Sequence, residues 1–282
     1  MPQSEVISVP SPDQLIRGVG VVHLSLLGGF SIRANGVERP LAAGSRRLLA
    51  LLALTGQRMR RPVIAGMLWP EATDGRASAC LRSAVARVGH AIVDVLCVSP
   101  TELSLSTSVR VDLRDAAVDA RRLLAGGGPL RHADLCGEST ELLSLELLPG
   151  WYDDWVLIEA EAWRLLRLQA LEALSMRLSS VACHAEAILT ALTAVSADPL
   201  RESARSVVIQ AYLAEGNHSE AYREFKRYRN LLLDSLGVEP TQRLWALVGA
   251  EPRPSRHSHG HMRQFGGDAI RAGRRPDPPG LA

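Results

Sequence analysis

The sequence predicts a mainly α protein with a small β component, arranged as two domains in series. Three observations carry that expectation. Apolar residues make up 46% of the chain, chiefly Leu and Ala, while aromatics are only 4%, which favours helices over a β-sandwich. The turn signals that mark hairpins fall in two places, Asn35-Gly36 and Ser99-Pro100-Thr101, with helical patterns between and after them. Charge also divides along the chain. Residues 21–112 hold eleven arginines against six acids, and residues 113–250 hold fourteen basic residues against nineteen acidic ones.

The net charge of +2 hides that division, and 282 residues are enough for two cores. A basic front half joined to an acidic back half points to a polyanion as the partner of the front half alone. Cys80, Cys97, Cys136 and Cys183 form no CxxC pair and no metal-ligand spacing, which suits free thiols in a reducing cytoplasm. The first residues lack a basic segment followed by an apolar run, so no secretory signal is expected. Leu48 to Leu54 is the longest apolar run, far too short to span a bilayer, so no membrane partner is expected.

Taken in order, residues 1–20 are polar and proline-bearing and are expected to form a flexible arm. Val21 to Ile32 reads as β-strand, Asn35-Gly36 as a hairpin turn, and Val37 to Leu41 as the returning strand. Ser45 is placed to cap a helix from Arg46 to Thr55 that Gly56 ends. A second short helix begins near Pro62 and runs to Trp69, where Pro70 stops it.

The stretch from Gly75 to His90 reads as a third helix with two unlike sides. At 100° per residue Leu81, Val85 and Val88 form an apolar stripe, while Arg76, Ser83, Arg87 and His90 gather opposite it, with Arg82 at the margin. Small Ala79 and Ala86 sit between the longer side chains, a shape that suits close approach to a nucleic-acid groove. An ordinary amphipathic surface helix would share the pattern. Gly89, near its end, costs about 1 kcal/mol against alanine and is expected to end the helix early. Val93 to Val98 and Glu102 to Ser106 then alternate around Ser99-Pro100-Thr101 as a second hairpin.

Sheet, three helices and hairpin in that order describe a winged helix, with an N-terminal sheet like that of response-regulator effector domains. The runs Arg46 to Leu54, Leu68-Trp69-Pro70-Glu71, Arg76 to Ala84 and Val109-Arg110-Val111-Asp112 resemble the N-terminal half of SARP-type transcriptional activators of actinobacteria.

The back half reads independently as helical repeat. Ala187 and Ala221, Ala191 and Phe225, and Ala194 and Tyr228 are each separated by the 34-residue tetratricopeptide period, with Tyr212 and Gly216 at the aromatic and turn positions. Leu113 to Leu124 and Asp154 to Leu178 are expected helices ahead of the repeat. Gly126-Gly127-Gly128 reads as a hinge after the first. The segment Leu147 to Trp155 and the closing Leu236-Gly237-Val238-Glu239-Pro240 resemble the bacterial transcriptional activator domain. The expected boundaries are a winged helix over 21–112, a tetratricopeptide-like domain over 113–250, and a disordered basic tail over 251–282.

Little in the sequence suggests catalysis. There is no GxxxxGK[ST] loop and no GxGxxG after a strand, so neither an ATPase cradle nor a dinucleotide site is visible, and no cofactor is expected. The cluster Arg256-His257-Ser258-His259-Gly260-His261 lacks supporting shells for an ordered metal. Asp153 and Asp154 read as dipole partners of a helix start, and Trp69 and Trp155 as core anchors. Arg58, Arg60 and Arg61 lie in the connection between the first two helices, as a solvated face or as phosphate contacts.

The resemblance implies a non-enzymatic activator whose third helix enters the major groove of double-stranded promoter DNA. Arg76, Arg82, Ser83 and Arg87 are its expected contacts and His90 a further one. Arg46 and Arg47 would grip the flanking backbone, and Thr101 lies at a wing tip that lacks a basic residue. By the same resemblance the loop Glu71, Ala72, Thr73 and Asp74 would meet RNA polymerase holoenzyme, and the chain would act as a homodimer on direct repeats. A tetratricopeptide scaffold that does not bind DNA, and a fragment of a signalling ATPase, are the competing readings.

Overall fold

A computed structural model describes residues 21–249. The expected arm, the tail and its histidine cluster lie outside the described residues. The front half contains β1 (Val22–Ser25), β2 (Ser31–Ala34), β3 (Val37–Glu38), α1 (Ala43–Thr55), β4 (Met59–Arg60), α2 (Arg61–Leu68), α3 (Asp74–Ala91), β5 (Leu96–Val98), β6 (Glu102–Leu105) and β7 (Val109–Val111). The back half contains α4 (Asp112–Ala125), α5 (His132–Leu135), α6 (Glu138–Ser144), α7 (Asp154–Ser180), α8 (His184–Ala197), α9 (Glu202–Glu215), α10 (His218–Leu236) and α11 (Gln242–Leu247).

The first sheet has the order β3-β2-β1-β7. What reads in sequence as one strand from Val21 to Ile32 is two antiparallel strands, β1 and β2, because Gly28 and Gly29 take φ of 71° and 140° and turn the chain back. Asn35 and Gly36 close the next turn, both at positive φ, and β3 is shorter than expected. β7 adds to β1 in parallel, pairing Leu24 with Val111. That pairing carries the chain directly into α4. The Asp112 carboxylate, at the first turn of α4, accepts the Leu26 N–H at 2.9 Å and the Leu27 N–H at 3.1 Å. It thereby satisfies backbone donors where β1 ends.

Ser45 does not cap α1. The helix starts two residues earlier, at Ala43, and Ser45 is buried with its Oγ donating to the Ala84 carbonyl of α3 at 3.2 Å. Gly56 ends α1 in the left-handed conformation, as its position implies. Gly89 does not end α3, which continues to Ala91. The second hairpin is shorter than its sequence pattern, and Val93 to Val95 lie before β5 rather than within it.

In the back half α8 and α10 start 34 residues apart, at His184 and His218. Ala187, Ala191 and Ala194 on α8, and Ala221, Phe225 and Tyr228 on α10, are all buried. Alanines let α7, α8 and α9 approach closely, and the larger rings fill the space against α11, where Phe225 meets Trp245 edge-on at 4.7 Å. Among the described residues, no helix is long and apolar enough to cross a membrane.

The two halves share one apolar core, running from the β1 residues to Ala211 of α9. At the seam Phe30 stacks on Trp151 with centroids 6.0 Å apart, and Arg46 lies over both rings at 5.3 and 5.8 Å. Main-chain bonds cross as well: Gly28 N–H donates to the Glu146 carbonyl at 2.7 Å and Leu148 N–H to the Leu26 carbonyl at 2.9 Å. Trp69 and Trp155 are half-buried against this core rather than enclosed by it.

Candidate nucleic-acid interface

α3 is built to show one side outward. Thr73, in extended backbone, precedes its first turn, where Asp74 faces the positive end of the helix dipole. Ala77, Leu81, Ala84 and Val88 are buried, spaced as one helical face, and pack on α1 and α2. Val85, expected in that stripe, is only half-buried, and Ala84 takes the inner position, its carbonyl accepting the Ser45 hydroxyl at 3.2 Å. The opposite side carries Arg76, Arg82, Ser83, Arg87 and His90, all exposed, with Ala79 and Ala86 exposed between them. Among the described residues, none of these three arginines makes an ion pair or a side-chain hydrogen bond. The back half does not cover them.

Arg46 and Arg47 differ from the expectation of backbone contact. Arg46 is held over Phe30 and Trp151, and Arg47 forms an ion pair with Asp153 at the start of α7. Their position at the start of α1 faces the seam between the halves, so both cations are spent on intramolecular packing. Asp153 is accordingly an ion-pair partner rather than a simple dipole partner.

The loop before α3 is accessible. Glu71, Thr73 and Asp74 are exposed, while Ala72 tucks partly under and donates its N–H to the Trp69 carbonyl at 3.1 Å. Thr101 is exposed at the tip of the β5–β6 hairpin, and its carbonyl accepts the Arg61 N–H at 2.9 Å. Arg61 Nε also donates to the Ser99 carbonyl at 3.0 Å. Arg61 thus fixes the wing tip to the start of α2.

Sequence reading missed β4. Met59 and Arg60 pair antiparallel with Leu103 and Glu102, making the wing a three-stranded sheet of order β4-β6-β5. Two residues are too few for a period-2 signal, and only the cluster of arginines hinted that this connection mattered.

Among the described residues no group of three or more His, Cys, Asp or Glu side chains is placed to hold a metal ion. Arg76, Arg82 and Arg87 make the exposed side of α3 cationic.

A winged helix that presents a basic third helix, followed by a tetratricopeptide-like stack, is the architecture of a class of bacterial transcription regulators. Comparison with known proteins gives the family. Residues 111–250 match the family model of the bacterial transcriptional activator domain. The chain is 34% identical over 240 residues to the regulatory protein AfsR of Streptomyces coelicolor, covering 78% of this chain and 23% of that protein. It is 27% identical over 248 residues to the transcriptional regulatory protein EmbR of Mycobacterium tuberculosis, covering 80% of this chain and 62% of that one. A solved structure of Mycobacterium tuberculosis EmbR, in complex with a low affinity phosphopeptide, superposes with a TM-score of 0.64 at 22% identity, over 82% of this chain and 64% of that one, a likeness of fold. Residues 111–250 are a bacterial transcriptional activator domain, and with the winged helix ahead of it the chain belongs to the SARP-type transcriptional regulators. It spans about a quarter of the length of the AfsR relatives.

Proposed function

We propose that this chain is a sequence-specific DNA-binding transcriptional activator without enzymatic activity, acting in the cytoplasm. One observation carries the reading. The arginines of α3 project from its exposed side with no ion-pair or hydrogen-bond partner among the described residues, while the other side of the same helix is buried in the core. An unpaired arginine on a rigid helix pays little to form a bidentate contact with guanine or a charge-assisted bond to phosphate. Arg82, Ser83 and Arg87 lie centrally on α3 and are assigned to the major groove, with Arg76 and His90 flanking them. Arg46 and Arg47, engaged at the seam, are left out of the contact set.

The similarity to AfsR and EmbR supports the regulatory role. The exposed Glu71–Asp74 loop, ahead of α3, is assigned to RNA polymerase, and a homodimer on direct repeats follows from the resemblance to SARP-type activators. The test is duplex binding by the whole chain across a salt series. The reading expects log K to fall linearly with log salt, and Arg82→Ala and Arg87→Ala each to weaken specific binding by about 1–3 kcal/mol where the side chain meets a base. A tetratricopeptide scaffold that does not bind DNA would show no such duplex affinity.

A further inference from the structure

Arg167 of α7 is only 3% exposed, yet among the described residues no acid pairs with it. We infer that Arg167 anchors a binding site for a small organic carboxylate, in a recess between α7 and the Glu146-Leu147 stretch before it. The inference goes beyond the DNA-binding reading and does not depend on it.

Other arginines enclosed in this chain are neutralised. Arg205 is paired with Glu224, and Arg122 with Asp134. Arg167 instead makes two hydrogen bonds, both from Nη1 at 3.3 Å, to the Leu143 and Ser144 carbonyls at the end of α6. A helix C-terminus carries at most about half a unit of negative charge, so those bonds leave the guanidinium under-compensated. Its Nε is buried with no partner. Burial pulls the guanidinium below the ordinary arginine value, an effect that Glu146 opposes and Arg164 reinforces. An enclosed charge without a counter-charge is costly, and an anionic ligand removes that cost.

The recess has a volume of about 230 Å³ and is lined by Arg167 with Leu147, Leu157, Ala160 and Trp163. Leu157, Ala160, Arg164 and Arg167 recur at three- and four-residue spacing along α7 and so share one stripe of it. The stretch that supplies Leu147 is held to the winged helix, where Leu27 and Leu147 form a β-bridge. Drug-sized ligands need roughly 300–1,000 Å³, so this ligand is small. Its charged end belongs at Arg167, and the four apolar residues suit a short hydrocarbon body. Arg164 supplies no second free cation, being paired with Glu161 and Asp198. Glu146 and Glu161 also border the recess and repel a doubly charged anion, which favours a carboxylate over phosphate. A purely structural Arg167, clamping the end of α6 to α7, would need the carbonyl bonds and no ligand.

The test titrates the whole chain with butyrate, with its uncharged counterpart butyramide and with inorganic phosphate, all at one ionic strength. Calorimetry should show saturable binding of butyrate, none of butyramide, and clearly weaker binding of phosphate. Arg167→Met should weaken butyrate binding about ten- to hundredfold, the range of a lost hydrogen bond to a charged group. That substitution also removes the bonds to α6, so two further variants leave Arg167 in place. Ala160→Leu should abolish binding by filling the recess, and Glu146→Gln should tighten it by removing a rival negative charge. Thermal melting of each variant checks that it is folded. The absence of saturable butyrate binding overturns the inference, as does equal binding of butyramide or of phosphate. Wild-type butyrate affinity in Ala160→Leu overturns it too, whatever Arg167→Met does.

Discussion

Arg47 of α1 and Asp153 at the start of α7 form an ion pair that joins the winged helix to the activator domain. Both side chains are about a quarter exposed, and Arg47 Nε is buried without a partner, so the pair is only partly screened by water. Because α1 also holds α3 through Ser45 and Ala84, the start of α7 is two contacts away from α3. Asp153→Asn should lower stability by about 1–2 kcal/mol, read from urea unfolding. A double-mutant cycle with Arg47→Met should return a favourable coupling of about 1 kcal/mol, and additive single effects would show that the pair contributes nothing.

Asp134 predicts a pH dependence with a defined sign. Its carboxylate is wholly buried and accepts from Arg122 at 2.7 and 3.0 Å, from the Arg131 N–H at 2.8 Å and from Ser139 Oγ at 2.8 Å. Burial pushes the carboxyl up, but the Arg122, Arg131 and Ser139 bonds together outweigh it and hold it below its ordinary value of 3.8. A depressed folded pKa stabilises above the unfolded value and loses that contribution as pH falls through the folded one. Asp134→Asn should therefore be destabilised relative to wild type at neutral pH by about 2–4 kcal/mol, and the gap should narrow at pH values well below 3.8. Asp112 runs the other way. Burial raises its pKa despite the Leu26, Leu27 and Leu113 amides, so it favours folding more once protonated.

Gly89 offers a gain. It lies inside α3, exposed, and a Cβ built there meets nothing within 4 Å. Gly89→Ala should stabilise by about 0.5–1 kcal/mol, seen as a higher melting temperature. A lower melting temperature would mean that α3 needs the flexibility of glycine at its end.

The repeat predicts intolerance to size. Ala191 is fully buried where α8 meets its neighbours, at the position that Phe225 fills one repeat later. Ala191→Leu should cost about 1–3 kcal/mol because the α7–α8–α9 contact leaves no room for the added atoms.

Much of this architecture was legible in the chain. Asn35-Gly36, the leucine-rich α1, the proline and glycine boundaries of α1 and α2, and the 34-residue spacing of the buried alanines each reflect a local rule, and local rules can be read without coordinates. The exposed side of α3 was legible for the same reason. What was missed depends on distant pairing. β7 is a strand because β1 lies beside it, and β4 because β6 does; at three and two residues both are too short for an alternation to stand out. Ser45 has the composition of a helix cap, and only the approach of α3 turns it inward. Arg46 and Arg47 look like free cations until Trp151 and Asp153, over a hundred residues on, fold against them.

Salt-dependent binding of the whole chain to duplex DNA, compared with Arg82→Ala/Arg87→Ala, decides whether the exposed side of α3 meets DNA. The wild type should show a steep linear fall of log K with log salt, and the variant a clear loss of affinity while melting normally. Equal affinity of the two proteins at every salt concentration would contradict it.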